Sequence, residues 1–301
     1  MKSHLPKLAI LGSLVLAAVV LPLTMPASSF AQAGQKLPFG IYDPDGTFSE
    51  VKGVGIEHIY IPWEDVDLNS LHTADQYALD RGRDLLITVE PWSWSPDWNT
   101  TSEQLQQGIV SGDYDRTIAN VCTTAGSLKG KVTIRWAHEM DLANDRFPWS
   151  KWNPADYVTA YRHFADQCRK YAPNARYMWS PRGNATLQDY YPGDEYVDVI
   201  GLSVFGLQQY DIDHLGHAST FAESLRQGYD LAVGYGKPIE VAELGFRGDA
   251  AYMDKWRHDM LAVGAEFPAL EAVIYFNEIE TFAWPAPYGY PDWRVGVDLL
   301  D

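Results

Sequence analysis

Two glutamates each lie at the end of an apolar run, and a pair of carboxylates could carry out acid–base and nucleophilic chemistry together. Glu139 belongs to RWAHEM (135–140), directly after His138, and Glu243 belongs to PIEVAEL (238–244). In retaining glycoside hydrolysis, one carboxyl group protonates the leaving oxygen and a partner about 5–5.5 Å away attacks the anomeric carbon. A wider gap would leave room for water and invert the configuration. The sequence does not supply that distance.

The elements that must position these glutamates recur along the chain as short runs rich in Ile, Val and aromatic residues. We predict strands at 38–43, 57–62, 84–90, 131–139, 177–181, 197–205, 238–244 and 272–277. Apolar residues at helical spacing lie between most of the strands, and Asn153 followed by Pro154 is typical of a helix start. Alternating strands and helices favour parallel pairing, and eight such units indicate an α/β fold, a (β/α)8 TIM barrel in a single domain. The alternative, a doubly wound sheet, would normally have a Gly-rich phosphate loop after its first strand, and GIYDPDG is not one.

In such a barrel the chemistry lies at the carboxyl ends of the strands. The predicted strand ends carry polar and aromatic residues: Asp43, Asp45, Trp63, Glu64, Asp65, Glu90, Trp92, His138, Glu139, Arg182, Phe205, Glu243, Asn277 and Glu278. The strand bodies that precede them are largely apolar. We therefore expect the His–Glu pair at the mouth of the barrel and not in its core.

Strand alternation indicates which side chains share a side with each glutamate. On the fourth predicted strand, Arg135 has the parity of Glu139, whereas Trp136 has the opposite parity and is expected to pack against helices. On the seventh, Glu240 has the opposite parity from Glu243 and lies near the strand start. We expect Glu240 to point away from the barrel axis and to be structural.

The sequence contains 11 tryptophans, many of them near predicted strand ends or in the loops that follow. Sugar rings have flat apolar faces that stack on indole, although we expect about half of these tryptophans to pack in the interior. We expect substrate contacts from His138, Trp92, Trp149, Arg182, Phe205, Asn277, Trp284 and Trp293. Arg182 or Asn277 is also expected to donate to Glu243 and so to keep it ionised, while a partly closed site raises the pKa of Glu139.

The N-terminal residues resemble an export signal. Lys2 and Lys7 precede an apolar stretch at 8–23, and Ala31 and Ala33 form a small-x-small cleavage site. We predict a cleaved signal peptide at 1–33 and a catalytic domain at 34–301, secreted or periplasmic, with no membrane association after cleavage. A retained membrane anchor is the alternative.

Charge and composition limit the partners. The formal net charge is −17, with 40 acidic and 23 basic residues, so phosphate backbones and anionic lipid would repel the chain. Nucleic acid is therefore excluded as an expected partner, whereas a neutral polysaccharide carries no such penalty. No set of metal-ligand residues accompanies the glutamates, so we expect no metal and no cofactor, and we expect a monomer.

Cys122 and Cys168 are the only cysteines. Each falls on the apolar stripe of a predicted helix, which is typical of a buried free thiol. Export to an oxidising compartment makes a disulfide between neighbouring helices the equal alternative.

Four stretches together resemble glycoside hydrolase family 26: RWAHEMD…FPW (135–149), YYPGDEYVDVIGLSVF (190–205), IEVAELG (239–245) and YFN…DWRV (275–295). That family contains endo-β-mannanases, β-1,3-1,4-glucanases and some xylanases. The resemblance implies a retaining (β/α)8 hydrolase in which Glu139 is the acid/base and Glu243 the nucleophile. It also implies that His138 shapes the subsite at the cleavage point and that Trp149 matches the tryptophan after the fourth strand.

One position departs from the family pattern. The sixth strand of the family commonly ends in an aspartate and a tyrosine whose hydroxyl bonds the nucleophile, whereas this chain has Ser203-Val204-Phe205. Phe205 keeps the ring and loses the donor. This difference implies either a weakened enzyme or a pocket rebuilt for another sugar.

The sequence therefore indicates an exported retaining endo-β-glycanase that hydrolyses a neutral β-linked polysaccharide, a β-glucan or a β-mannan. The alternative is a polysaccharide-binding protein of an exopolysaccharide export or processing system with little or no turnover. Phe205 favours the alternative, and the presence of both glutamates at strand ends opposes it.

Overall fold

The computed structural model describes residues 37–142 and 146–300, in which eight parallel strands close into a barrel in chain order. The strands are β1 (Phe39–Tyr42), β2 (Val54–Pro62), β3 (Asp84–Glu90), β4 (Val132–Trp136), β5 (Arg176–Trp179), β6 (Val199–Leu207), β7 (Ile239–Arg247) and β8 (Leu270–Phe276). Each strand pairs with the next, and β8 pairs with β1. The predicted (β/α)8 barrel is confirmed.

In the described part of the chain, seven α-helices surround the barrel. They are α1 (Ser70–Asp80), α2 (Ser102–Ser111), α3 (Asp115–Ser127), α4 (Pro154–Cys168), α5 (Gln208–Leu215), α6 (Phe221–Ala232) and α7 (Ala250–Ala262). The Asn153 side chain accepts from the Asp156 N–H and so begins α4 as the sequence predicts. The β1–β2 connection contains only turns, and the β5–β6 connection contains two short 3₁₀ segments. These are among the connections in which a helical apolar stripe is weak or absent.

The fourth strand ends earlier than predicted. It stops at Trp136, and His138 and Glu139 lie on an irregular segment beyond it. Ala137 has φ of 46° and Glu139 has φ of 54°, both in the left-handed region that residues other than glycine seldom occupy. Such conformations cost about 1–3 kcal/mol each and persist where surrounding contacts impose them. The segment that carries His138 and Glu139 thus lies at the barrel mouth and has a strained backbone.

The seventh strand contains an irregularity that corrects the parity argument. Its pairing with β6 shifts register between the partners of Leu202 and Ser203, so that Ser203 pairs with Glu243 while Gly201 pairs with Glu240. A β-bulge places two consecutive residues against one on the partner strand and changes the alternation beyond it. Glu240 and Glu243 consequently both face the barrel interior, at opposite ends.

Glu240 is nevertheless structural, as expected, although for another reason. It lies at the amino-terminal end of the barrel, where Arg176 donates to it at 3.1 Å. Burial raises the pKa of Glu240 to about 7, although the charge of Arg176 opposes this shift. Glu240 therefore lies three residues before Glu243 on β7, on the amino-terminal side of the register shift.

Two apolar layers hold the barrel. The interior layer is small and consists of Leu86, Met178, Val199, Ala242, Ala272 and Ile274. The larger layer lies between the strands and the helices, where Trp136 stacks on Phe164 of α4 at 4.8 Å between ring centroids. The outward position predicted for Trp136 is confirmed.

Cys122 of α3 and Cys168 at the end of α4 form a disulfide, with Cα atoms 5.2 Å apart. Of the two alternatives for these cysteines, the disulfide is the one that the structure contains.

The predicted signal peptide (1–33) lies outside the described residues. Among the helices of the described part of the chain, none has both the length and the hydropathy needed to cross a membrane.

Candidate active site

Glu243 lies at the barrel mouth against a buried arginine. Its side chain is 5% exposed, and Arg135 of β4, which is fully buried, donates from Nη1 to Glu243 Oε1 at 2.6 Å. Arg135 is fixed in turn by its Nε donating to the Ser180 hydroxyl at 2.8 Å. A buried charge requires such a partner, because an unpaired ion in the interior is strongly unfavourable. The sequence places Arg135 on the side of Glu139 but does not indicate that it holds Glu243.

Glu139 faces a different pair of arginines. Arg182 donates to Glu139 Oε1 at 3.4 Å, and Arg146 Nη1 lies 3.9 Å from Oε2. The Glu139 N–H donates to the Ser180 carbonyl at 2.7 Å, which anchors the strained segment to β5. The expectation that Arg182 supports Glu243 is wrong, because the end of β5 lies beside β4 and Arg182 meets the nearer glutamate.

His138 connects the two carboxylates. Its Nε2 lies 3.8 Å from Glu243 Oε1, and its ring packs edge-on against Phe147 at 4.8 Å. Burial, reinforced by the charge of Arg135, lowers the pKa of His138 well below its ordinary value, so the imidazole is neutral. The negative charge of Glu139 raises the pKa of Glu243, so the two carboxylates are close enough to belong to one site.

The pKa values of Glu139 and Glu243 are shifted in directions opposite to those that the sequence predicts. Burial alone would raise the pKa of Glu139, but the charges of Arg182 and Arg146 outweigh it and lower that pKa. Burial raises the pKa of Glu243, and the negative charge of Glu139 adds to this effect, against the opposing charge of Arg135. The sequence predicts the reverse, a raised pKa for Glu139 and a readily ionised Glu243.

Two cavities open beside the pair. The Glu243 cavity, of about 340 Å³, is lined by Tyr42, Tyr60, Glu90, Trp92, Trp94, His138, Arg146, Phe147, Glu243, Phe276, Glu278, Thr281 and Phe282. The Arg182 cavity, of about 600 Å³, is lined by Leu142, Arg146, Arg182, Phe205, Tyr210, Asp211, Phe282, Ala283, Trp284 and Pro285. Arg146 and Phe282 line both and form the wall between them. Glu243 lines the first cavity, whereas Glu139 is reached from the second only through its partners Arg146 and Arg182.

The residues expected to contact substrate fall into two groups. Five of them line a cavity: Trp92 and His138 in the Glu243 cavity, and Arg182, Phe205 and Trp284 in the Arg182 cavity. The other three, Trp149, Trp293 and Asn277, are fully or almost fully buried and line neither cavity.

The contacts of these three residues correct the expectation that they touch substrate. The Trp149 indole donates to the His138 carbonyl at 2.7 Å, and Trp293 packs against Phe205 at 5.1 Å between centroids. Asn277 donates to Asp43 at 2.8 Å and does not reach Glu243. Residue type suggested their involvement, but burial depends on how the loops fold over them.

Several residues at the mouth were not assigned a role from sequence. Burial and the negative charge of Glu243 both raise the pKa of Tyr60 well above its ordinary value. The Tyr60 hydroxyl has no hydrogen-bond partner of ordinary geometry among the described residues. Glu90, at the end of β3, lines the Glu243 cavity, as does Arg146. Only strand-end position pointed to Glu90, and nothing in the sequence pointed to Tyr60.

Among the described residues, no group of three or more His, Cys, Asp or Glu side chains is placed to hold a metal ion.

Comparisons with known proteins agree with this geometry. A sequence model of glycosyl hydrolase family 26 matches residues 89–222, a region that contains Glu139 and ends before Glu243. The chain is 28% identical over 152 residues to a β-1,3-xylanase TXYA of a Vibrio species, covering 48% of this chain and 32% of that protein. It is 27% identical over 185 residues to a mannan endo-1,4-beta-mannosidase of Bifidobacterium adolescentis, covering 54% of this chain and 18% of that protein. The matches thus span a third or less of these curated relatives.

Solved structures share the fold. The YdhT protein from Bacillus subtilis aligns with a TM-score of 0.61 at 18% identity, covering 91% of this chain and 85% of that chain. A modular endo-β-1,4-mannanase from Cellulomonas fimi aligns with a TM-score of 0.62 at 18% identity, covering 81% of this chain and 65% of that chain. Together with the sequence matches, these results confirm the resemblance that the motifs indicate, to glycosyl hydrolase family 26.

Proposed function

We propose that this chain is an exported, retaining endo-β-glycanase that hydrolyses a neutral β-linked polysaccharide. The observation that carries the proposal is the meeting of Glu139 and Glu243 at one end of the barrel, with His138 3.8 Å from Glu243. Two cavities that meet at Arg146 and Phe282, one of them lined by Glu243, suit a polysaccharide chain longer than one sugar unit. The Cys122–Cys168 disulfide suits an oxidising, secreted or periplasmic location.

In the proposed reaction, Glu139 protonates the departing glycosidic oxygen while Glu243 attacks the anomeric carbon and forms a glycosyl ester. Glu139 then accepts a proton from water, which attacks the same carbon and releases the sugar from Glu243. Arg135 holds the attacking carboxylate through its 2.6 Å contact. Neutral His138 lies 3.8 Å from Glu243 without adding charge.

Glu139 must be protonated for the first step, whereas Arg182 and Arg146 favour its charged form in the unliganded protein. We propose that sugar bound in the Arg182 cavity draws Arg182 away from its 3.4 Å contact with Glu139. Loss of that positive neighbour and exclusion of water would both raise the pKa of Glu139. Substrate binding would thereby load the acid with its proton.

The substrate class follows from the resemblance and from the relatives. The motifs resemble a family of β-mannanases and β-glucanases, and two curated relatives are named a β-1,3-xylanase and a mannan endo-1,4-beta-mannosidase. Mannan, mixed-linkage β-glucan, cellulose, β-1,4-xylan and β-1,3-xylan are therefore the polysaccharides to test. Net negative charge makes neutral chains the appropriate set.

The test is reducing-sugar release from these polysaccharides by the wild type and by Glu139→Ala and Glu243→Ala. We expect hydrolysis of at least one polymer by the wild type and a loss of at least a thousandfold in each variant, because each removes a group that acts on the reacting bond. Glu240→Gln is the matched control, a buried glutamate on the same strand as Glu243 but at the other end of the barrel. Near wild-type activity in either alanine variant would refute the role given to that residue.

The second candidate, a polysaccharide-binding protein with little turnover, has one supporting observation besides Phe205. A resting Glu139 held in its charged form by two arginines is a poor proton donor. This candidate predicts micromolar binding of a polysaccharide fragment with no product formed in prolonged incubation. Any hydrolysis that is abolished by Glu139→Ala decides against it.

A further inference from the structure

Glu90 is a third carboxylate in the Glu243 cavity, and the proposed reaction does not use it. It ends β3, and only 7% of the residue is exposed. One oxygen, Oε2, accepts from the indole N–H of Trp92 at 2.9 Å and from that of Trp94 at 2.6 Å. Two donors therefore converge on a single carboxylate oxygen.

The second oxygen of Glu90 is available to a ligand. None of the described residues donates a hydrogen bond to Oε1, and the side chain lines the Glu243 cavity. A buried carboxylate is costly unless its oxygens accept hydrogen bonds. The indole bonds fix the direction of the carboxyl group, so Oε1 presents an oriented acceptor to the cavity.

Trp94 presents a flat apolar face at the same place. Its side chain is 55% exposed, although an indole of this size is usually buried. The 2.6 Å bond to Glu90 restrains the ring, which reduces the conformational entropy lost when a ligand stacks on it. The neighbouring Trp92 is restrained in addition by edge-on packing against Trp149 at 5.6 Å.

We propose that Glu90 and Trp94 form a sugar-binding subsite in the Glu243 cavity, in which one sugar unit stacks on Trp94 and donates a hydroxyl to Glu90 Oε1. The inference rests on the proposed function for the nature of the ligand. Three carboxylates, Glu90, Glu243 and Glu278, line the cavity against one cation, Arg146, so the unit bound there is neutral, because the excess of carboxylates would repel a uronate or a sulfated sugar. The subsite thus selects both for a correctly placed hydroxyl and against anionic sugars.

The test measures binding without turnover. In the Glu139→Ala background, affinities for mannohexaose, cellohexaose and xylohexaose are measured by calorimetry, with Glu90→Gln and Trp94→Ala added separately and together. We expect each substitution to weaken the best-bound hexaose about five- to fiftyfold, as loss of a charged hydrogen bond or of a stacking ring would. The double variant should lose less than the product of the two effects, because Glu90 also holds Trp94.

The control is Glu64→Gln. Glu64 likewise accepts an indole N–H, from Trp98 at 3.1 Å, at the neighbouring strand end, but it lines neither cavity. The Glu64→Gln substitution should leave the affinity for the hexaose within twofold of that of the parent.

In the otherwise unsubstituted enzyme, Glu90→Gln should raise KM about tenfold and change kcat by less than threefold, with an unchanged thermal midpoint.

Wild-type affinity in Glu90→Gln would overturn the inference, and so would an equal loss in Glu64→Gln. A loss confined to variants with a lowered thermal midpoint would also overturn it, because the effect would then be structural. These outcomes are distinct from failure of the proposed function, in which the wild type cleaves no polysaccharide. The calorimetric arm does not require turnover and would still decide whether the subsite exists.

Discussion

Glu139 and Glu243 share three arginines, and the way these cations are divided sets the protonation of the pair. Arg135 contacts Glu243 at 2.6 Å, whereas Arg182 and Arg146 lie 3.4 and 3.9 Å from Glu139. Sequence could identify the two glutamates because both end apolar runs. It could not assign the arginines, because that depends on which strand ends become neighbours and on how a loop folds back over the mouth.

The first residue-scale prediction concerns the pH profile. Arg182 lowers the pKa of Glu139, so Arg182→Met should raise that pKa and keep the acid protonated to higher pH. The descending, alkaline limb of kcat/KM should therefore move to higher pH by about half a unit or more. Lys131→Met is the control, since Lys131 is 87% exposed at the amino-terminal end of β4. An alkaline limb that stays in place would show that Arg182 does not govern the acid.

The second residue-scale prediction concerns Phe205. Its ring packs on Trp293 and lies 5.8 Å from the Arg182 guanidinium, and Glu243 already has a donor in Arg135. Phe205→Tyr should therefore give no rate gain on the preferred polysaccharide and should change KM more than kcat. Steady-state kinetics measure this outcome.

Tyr60→Phe is the counterpart variant. It removes a buried hydroxyl beside Glu243 that has no hydrogen-bond partner among the described residues, and it should lower kcat about two- to tenfold if that hydroxyl donates to Glu243 during the reaction. A clear rise in kcat for Phe205→Tyr with KM unchanged would contradict this account and favour a weakened site at Glu243.

At the scale of elements, the segment that follows β4 positions Glu139, and the part of β7 after its register shift positions Glu243. The sequence predicted both strands, but not the left-handed residues after Trp136 or the bulge before Glu243. Neither feature has a glycine or proline to announce it, because packing against neighbouring strands imposes the conformation. Strict alternation failed on β7 for that reason, while it succeeded for Trp136 on the regular part of β4.

The Cys122–Cys168 disulfide joins α3 to the end of α4 across 46 residues, away from the mouth. Replacing both cysteines by alanine should destabilise the fold by about 2–4 kcal/mol, mainly because the unfolded chain gains freedom. Thermal unfolding followed by circular dichroism should show a midpoint lower by roughly 10 °C. Activity per folded molecule at 25 °C should remain within twofold. An unchanged midpoint would contradict a stabilising role.

At the scale of the whole molecule, the sequence predicted the closed barrel because eight apolar runs and their intervening helices repeat in order. Its cleft was not predictable, because the wall between the two cavities joins Arg146, after β4, with Phe282, after β8. Residues so distant in sequence meet only once the barrel closes. The same closure buries Trp149, Trp293 and Asn277, which residue type alone had suggested as ligand contacts.

The central claim is that Glu243 acts as a nucleophile and Glu139 as acid and base, and the anomeric configuration of the first product tests it most directly. Proton NMR during early hydrolysis of the preferred β-linked polysaccharide would follow the anomeric signals before mutarotation equilibrates them. Two successive displacements at one carbon restore its configuration, so the account predicts that the β-anomer appears first. Initial formation of the α-anomer would contradict it, since water would then have attacked the sugar directly.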